Sequence, residues 1–378
     1  MGPLAGIKVV EMKGIGPGPY AGMLLADMGA DVVVVERSST RAGIAIPAAK
    51  DVTSRGKRSI AIDIKKPQGL NVLMRLITDA DVLIEGFRPG VAERLGFGPD
   101  ACAEINARLV YGRLTGWGQH GPLATAAGHD INYISLTGAL AAIGGKDKPV
   151  PPLNLVGDYA GGSLFLVMGI LAALLETRAS GKGQVIDAAI TDGSASLMSM
   201  FHGWVKLGLW NSDRYSNLLD GAAYYYDVYE TADGQYVSIG PLEPKFYSLL
   251  VDKLGLDPDR FGEQAVAGKW PQLKQQLADV FRQRTRQEWC ELLEGSDVCF
   301  APVLDLSEAP QHAHNLARDT YISIDGVEQP APAPRFGRTN CDTPAAPHAE
   351  GADTENVLRE VGFSDADIDE LREADVLT

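Results

Sequence analysis

Three residues carry side chains and neighbours suited to moving protons: His129 in Gly128-His129-Asp130, Asp158 in Asn154-Leu155-Val156-Gly157-Asp158, and Glu243 in Gly240-Pro241-Leu242-Glu243-Pro244. A neutral imidazole serves as a general base near pH 7, and a carboxyl with a raised pKa can act as the acid opposite it. His129 stands at a predicted helix start, Ile131–Gly138, where backbone N–H groups favour the neutral ring. Asp158 precedes a Gly-rich turn, Tyr159-Ala160-Gly161-Gly162, whose free N–H groups suit an anion. Each residue also has a plainer reading. A lone histidine is more often structural, and both acids stand where a helix N-cap is expected. For Glu243 a catalytic role requires an interdomain or intersubunit cleft.

The elements that must hold these residues follow from periodicity. From Ile7 onward, short β-branched runs alternate with helical segments, which is the pattern of an α/β fold with a parallel sheet and crossover helices. Strands are predicted at Lys8–Val10, Val32–Glu36, Ser59–Ile64, Val82–Ile84, Leu109–Arg113 and Val185–Ala189, with helices at Pro19–Met28 and Gln68–Thr78. The most apolar stretch, Leu164–Leu175, is shorter than the roughly 20 residues that span a bilayer and reads as a buried core helix closed by Glu176. After Thr191 a helical stretch runs to about Leu209, followed by a polar connector, Asn211–Asp220. Tyr224–Glu230 and Tyr236–Ile239 flank Asp233-Gly234, so a hairpin opens a second, α+β region. Helices are expected there at Lys245–Leu254, Gln272–Arg282 and Gln287–Leu293, with a returning strand at Phe300–Leu304. Gln329–Pro334 reads as an extended linker, and the acidic tail from Asp353 has helical spacing.

With 34 basic against 49 acidic residues the formal charge is −15, which repels phosphate backbones and argues against a nucleic-acid partner. An anionic ligand then needs a local basic patch. Arg55, Lys57 and Arg58 cluster, and Arg37, Arg88 and Arg94 stand on loops after strands, where open α/β sheets bind ligands. Singly each reads as a solvated charge; together they could hold a nucleotide's phosphates. Gly14-Ile15-Gly16-Pro17-Gly18-Pro19 invites a dinucleotide-binding reading, but that fingerprint needs Gly or Ala where Pro19 stands. A tight strand-to-helix turn explains it, with Ile15 and Gly16 as a pocket wall. The four cysteines, Cys102, Cys290, Cys299 and Cys341, are scattered and read as reduced thiols, and the dispersed histidines predict no metal site. No serine-nucleophile elbow and no secretory signal are found, so a cytoplasmic protein without a membrane partner is expected.

Longer segments carry a family resemblance that covers almost the whole chain. They are Leu4-Ala5-Gly6-Ile7-Lys8-Val9-Val10-Glu11, Ala26-Asp27-Met28-Gly29-Ala30-Asp31-Val32, Asp81-Val82-Leu83-Ile84-Glu85-Gly86-Phe87-Arg88-Pro89-Gly90 and Thr115-Gly116-Trp117-Gly118-Gln119. The chain resembles the family III coenzyme A transferases (CaiB/BaiF type). Within them it is similar to the α-methylacyl-CoA racemase branch, whose G-H-D, I-N-Y, N-L-V-G-D and G-x-x-E-P-x-F-Y patterns are matched by Gly128–Tyr133, Asn154–Asp158 and Gly240–Tyr247. Transferases of the family share the aspartate, as a nucleophile, but usually show Tyr where His129 stands. Departures fall mostly in Ser38–Asp51, Pro241-Leu242 and the tail after Asn340.

The resemblance implies a Rossmann-like large domain with a parallel sheet plus a smaller α+β domain. Residues 1–190 would form the CoA-binding domain, 191–223 a linker helix and connector, 224–305 the small domain, 306–334 a return linker and 335–378 a segment packing back on the large domain. It also implies an interlocked homodimer whose active site joins one subunit's large domain to the other's small domain. Racemisation of 2-methylacyl-CoA thioesters is then expected, with His129, Asp158 and Glu243 catalytic and Arg37, Ile62, Ile64, Arg94 and Tyr133 binding coenzyme A. Coenzyme A enters as part of the substrate, and no separate cofactor is expected. On this reading Glu243 raises the pKa of Asp158, and backbone N–H groups of the Asp158 turn hold the enolate oxygen.

Overall fold

The computed structural model describes residues 2–36, 48–262 and 264–377. They fall into two compact units, one of residues 2–137, 153–197 and 319–377 and one of residues 138–152 and 198–318. The first unit leaves off at Leu197 and resumes at Asp319.

In the first unit six strands, β1 (Lys8–Met12), β2 (Asp31–Glu36), β3 (Arg58–Ala61), β4 (Val82–Glu85), β5 (Val110–Thr115) and β6 (Val185–Ala189), form one parallel sheet. Their order, β3-β2-β1-β4-β5-β6, is the Rossmann-like doubly wound order, so the α/β expectation holds. Both faces are covered, which is why β2 reads as an unbroken run of valines, Val32 to Val35, all buried. On one face Val10, Val33 and Leu83 pack against Leu73 and Ile77 of the Pro67–Thr78 helix and against Val357, Leu358 and Ile368 from the acidic tail. On the other, Val9, Val32 and Val82 meet Leu25 of the Pro17–Asp27 helix and Leu166 and Ile170 of the Phe165–Ser180 helix.

That last helix departs from expectation. It runs on past Glu176 to Ser180, and Leu155–Leu164 precedes it as a π-helical segment without a break, making 26 residues that by length and composition could cross a membrane. The run is not buried all round either. Leu166, Val167, Ile170 and Ala173 face the sheet, while Leu164, Met168 and Leu175 are exposed.

Strand β3 ends at Ala61; Ile62 still donates its N–H to the Glu36 carbonyl of β2 at 2.9 Å, but there the backbone turns to pair with the tail, Ile62 bridging antiparallel to Leu377 and Asp63 donating to the Val376 carbonyl at 2.8 Å. The linker expected at Gln329–Pro334 is in part a strand. Tyr321–Ile324 (β10) and Val327–Pro330 (β11) pair antiparallel around Asp325-Gly326, both at positive φ, the geometry of a two-residue hairpin turn.

The second unit holds β7 (Asp227–Glu230), β8 (Tyr236–Ile239) and β9 (Phe300–Val303) in one antiparallel sheet, with helices Pro244–Lys253, Trp270–Phe281 and Arg286–Leu293. Its core is aromatic, including Tyr224, Tyr229, Tyr247, Phe281 and Trp289. The Ser199–Lys206 helix buries none of its residues in the chain.

Candidate active site

The chain reverses direction across the sheet between β1 and β4, and this is where a doubly wound sheet leaves a crevice beyond the strand ends. A cavity of about 640 Å³ occupies it. Its walls are the loops that leave three strands, Gly14–Gly18 after β1, Gly86–Pro89 after β4 and Gly116-Trp117 after β5, together with Gly128, His129, Asn132, Tyr133 and Asp158.

The β1 loop shows why this crevice is not a dinucleotide cradle. Pro17 and Pro19 sit in the first turn of the Pro17–Asp27 helix, so two of the N–H groups that would grip a pyrophosphate do not exist. Gly16, at φ 71°, turns the chain so closely past Asp158 that a Cβ there would lie 3.2 Å from Oδ2. The wall expected from Ile15 and Gly16 is present.

His129 is the N-cap of the Asp130–Ser135 helix, and its backbone N–H donates to Asn132 Oδ1 at 3.0 Å. Its imidazole is exposed and lines the cavity. Tyr133, one turn on, donates its hydroxyl to the Gly128 carbonyl and sets its ring edge-on to Trp117, with centroids 4.8 Å apart. Gly116 admits that ring, since a Cβ there would overlap it.

Asp158 is not a helix cap. It sits inside the π-helical segment, whose wider turn is seen in the bond from the Tyr159 N–H to the Asn154 carbonyl at 3.2 Å. Glycines let this turn pack. A Cβ on Gly157 would overlap Asp130 Oδ2, and one on Gly161 would overlap Ser194 Oγ of the Ile190–Leu197 helix. Ser163, fully buried, places its hydroxyl 2.7 Å from the Pro17 carbonyl and 3.1 Å from that of Asp158, tying the turn to the β1 loop.

Burial, and next the neighbouring Asp130, push the Asp158 carboxyl up to about 6, against a hydrogen bond from Asn154 and the charge of His129. A raised carboxyl was expected; its main charged neighbour within this unit is Asp130. Asp130 Oδ2 accepts the Asp158 backbone N–H at 2.7 Å, so the donor assigned to an enolate oxygen is occupied. The sequence signal for Asp130 was an acid in the first turn of a helix directly after the histidine.

Several binding expectations are corrected or qualified by burial. Arg55 is not a phosphate ligand: it is buried, with Nη2 2.6 Å from Asp27 Oδ2 and Nη1 donating to Gln329 Oε1 and the Pro330 carbonyl. Lys57 is equally buried, its Nζ held by Glu11 Oε2 at 2.6 Å and by the Pro19 carbonyl at 2.8 Å. Arg58 pairs with Asp31 and Glu360. The patch predicted from these three is therefore a structural network. Ile62 is turned into the core and Ile64 packs partly buried on it, leaving mainly backbone for a ligand to meet. Arg94 is exposed on the Val91–Leu95 helix, Arg88 is exposed at the cavity, and Arg37 lies outside the described residues.

Glu243 belongs to the second unit, where it is the N-cap of the Pro244–Lys253 helix. Its exposed side chain makes no capping hydrogen bond, so the cap reading does not account for it.

A cavity at the switch point, carrying an imidazole and a raised carboxyl but no pyrophosphate cradle, fits an enzyme that works by proton or acyl transfer; the chain belongs to CoA-transferase family III, whose model matches residues 4–354. It is 44% identical to the α-methylacyl-CoA racemase of Mus musculus over 97% of this chain and 96% of that protein, and equally to that of Homo sapiens over the same shares. Among solved structures, a CaiB/BaiF family protein from Brucella suis superposes with a TM-score of 0.82 at 26% identity, covering 95% of this chain and 99% of that one.

Proposed function

We propose that the chain racemises 2-methylacyl-CoA thioesters. The observation that carries this reading is that His129 and the raised carboxyl of Asp158 line one cavity. Inversion at carbon needs a base on one face and an acid on the other. Neutral His129 takes the α-proton of one epimer, the C–H electron pair passes to the thioester oxygen as an enolate, and protonated Asp158 returns a proton to the opposite face. The roles exchange for the reverse direction. The racemases to which the chain is 44% identical support this choice of substrate class.

Glu243 acts on the Asp158 side of the site in an interlocked homodimer, where one subunit's small domain meets the other's large domain. The unburied Ser199–Lys206 helix and the exposed Leu207 and Leu209 that follow it suit a segment threaded through a partner. The coenzyme A portion runs along Arg37, the backbone at Ile62 and Ile64, and Arg94, with Tyr133 at its reactive end.

Proton NMR of α-deuterium wash-in for a panel of 2-methylacyl-CoA esters in heavy water tests the reaction. Wild type should exchange and interconvert epimers, while His129→Ala should lose interconversion and keep its fold. Unchanged racemisation by that variant would sink the assignment. The rival is CoA transfer with Asp158 as a covalent nucleophile, favoured by its carboxyl being the acid that lines the cavity among the described residues. Hydroxylamine trapping of an Asp158 acyl intermediate during turnover with a second carboxylic acid would select it.

A further inference from the structure

Asp130 is 93% buried, yet only one of its carboxylate oxygens is used. Oδ2 accepts the Asp158 N–H at 2.7 Å and lies so near Gly157 that any side chain there would overlap it, while Oδ1 is enclosed and has no hydrogen-bond partner. A buried carboxylate oxygen left unpaired destabilises a fold, and a helix needs no such residue at its first position. The charge is therefore in a place where packing alone would not put it. Resting on the racemase reading, we propose that Asp130 is a positioning residue for Asp158: its carboxylate clamps the backbone of the π-helical turn and sets a buried acidic group beside the Asp158 carboxyl.

The other groups around the pair do not supply that charge. His129 favours ionised Asp158, Tyr133 stands beside it in the cavity wall, and Arg88 lines the cavity from the β4 loop. The Ile190–Leu197 helix, packed against both segments, contributes Asp192, which is exposed. Asp130 is the acid among them that is both buried and bonded to the Asp158 turn, and it is the largest charged influence raising Asp158. Burial acts more strongly still, so removing Asp130 should lower the Asp158 midpoint without returning it to the ordinary carboxylate range.

Asp130→Asn keeps the shape and an acceptor for the backbone N–H but removes the charge; Asp130→Ala removes both. The ¹³C carboxyl resonance of Asp158 in the full chain, identified by its loss in Asp158→Asn, is titrated in wild type and in both variants. In Asp130→Asn the midpoint should fall by about one pH unit. The matching limb of kcat/KM for 2-methylacyl-CoA should move down with it, with KM changed less than about twofold. Asp130→Ala should lose a further factor of about ten in kcat, because the turn is no longer held. An unchanged Asp158 midpoint in Asp130→Asn overturns the electrostatic role, and equal kcat in the two variants overturns the clamp. Should wild type exchange no α-proton, the racemase reading fails while the titration still judges Asp130.

Discussion

Replacing Lys57 by methionine distinguishes a structural lysine from a phosphate ligand. Lys57 is 3% exposed and Glu11 1%, and the pair is joined at 2.6 Å. Burial is the largest influence on each, raising Glu11 and lowering Lys57, and each partner opposes that shift in the other. Methionine keeps the aliphatic stem but leaves Glu11 with neither oxygen paired, since Oε1 already lacks a partner. Removing one member of such a pair costs about 3–5 kcal/mol, roughly a third of a domain's stability. The variant also removes the Lys57 contact to the Pro19 carbonyl in the first turn of the Pro17–Asp27 helix.

The pH dependence has a definite sign. Without its cation, Glu11 has a folded-state pKa raised further above the unfolded value, so its carboxylate destabilises at neutral pH and ceases to do so once protonated. The deficit against wild type should therefore shrink as pH falls. Glu11→Leu with Lys57→Met removes both charges and should recover more than half of the loss. Urea unfolding followed by hydrogen exchange in peptides covering β1 and β2 reads the first unit separately from the second. A single variant within about 0.5 kcal/mol of wild type whose only change is a raised KM for acyl-CoA would refute this and restore Lys57 as a ligand.

Gly157→Ala places a Cβ into Asp130 Oδ2 and 3.0 Å from Ile134 Cγ2, so the turn must shift; steady-state assays should show kcat down by about ten- to a hundredfold, and a wild-type kcat would contradict the close packing. Because a racemising pair works with one proton between its two members, kcat/KM should fall at both ends of the pH range. One limb should lie near the value of about 6 to which burial and Asp130 raise Asp158. The profiles of the two epimers should superimpose, since their interconversion is close to thermoneutral. A profile flat across that region counts against the pairing.

Much of the frame was legible locally. Parallel strands buried on both faces favour β-branched residues, so β1, β2 and β4 stood out, β5 and β6 were marked by shorter runs of the same kind, and the hairpin by its Asp233-Gly234 turn. The β10–β11 hairpin carried the same kind of signal in Asp325-Gly326 but was masked by the proline-rich run beside it. β3 stops early for a reason outside its own sequence: beyond Ala61 the backbone pairs with Leu377, more than three hundred positions away. The 26-residue helix was cut short because Gly161 and Gly162 read as a turn, whereas in the structure they belong to a π-helical segment packed against Ile190–Leu197.

Residue type and local pattern were sufficient to set the α/β class and to argue against a dinucleotide cradle through Pro19. Those properties belong to short stretches of chain, where propensity and spacing act directly. His129 and Asp158 rose above their structural readings only through the longer segments that carry the family resemblance. Tertiary structure alone decided which charges face a ligand. Arg55, Lys57 and Arg58 look on paper like a phosphate patch, but Asp27, Glu11 and Asp31 meet them only when β1, β2 and the intervening helix come together. It also decided what raises Asp158 within its own unit. A carboxyl's pKa depends on burial and on charges within a few ångströms, and Asp130, twenty-eight positions away along the chain, is brought to its backbone by the π-helical turn.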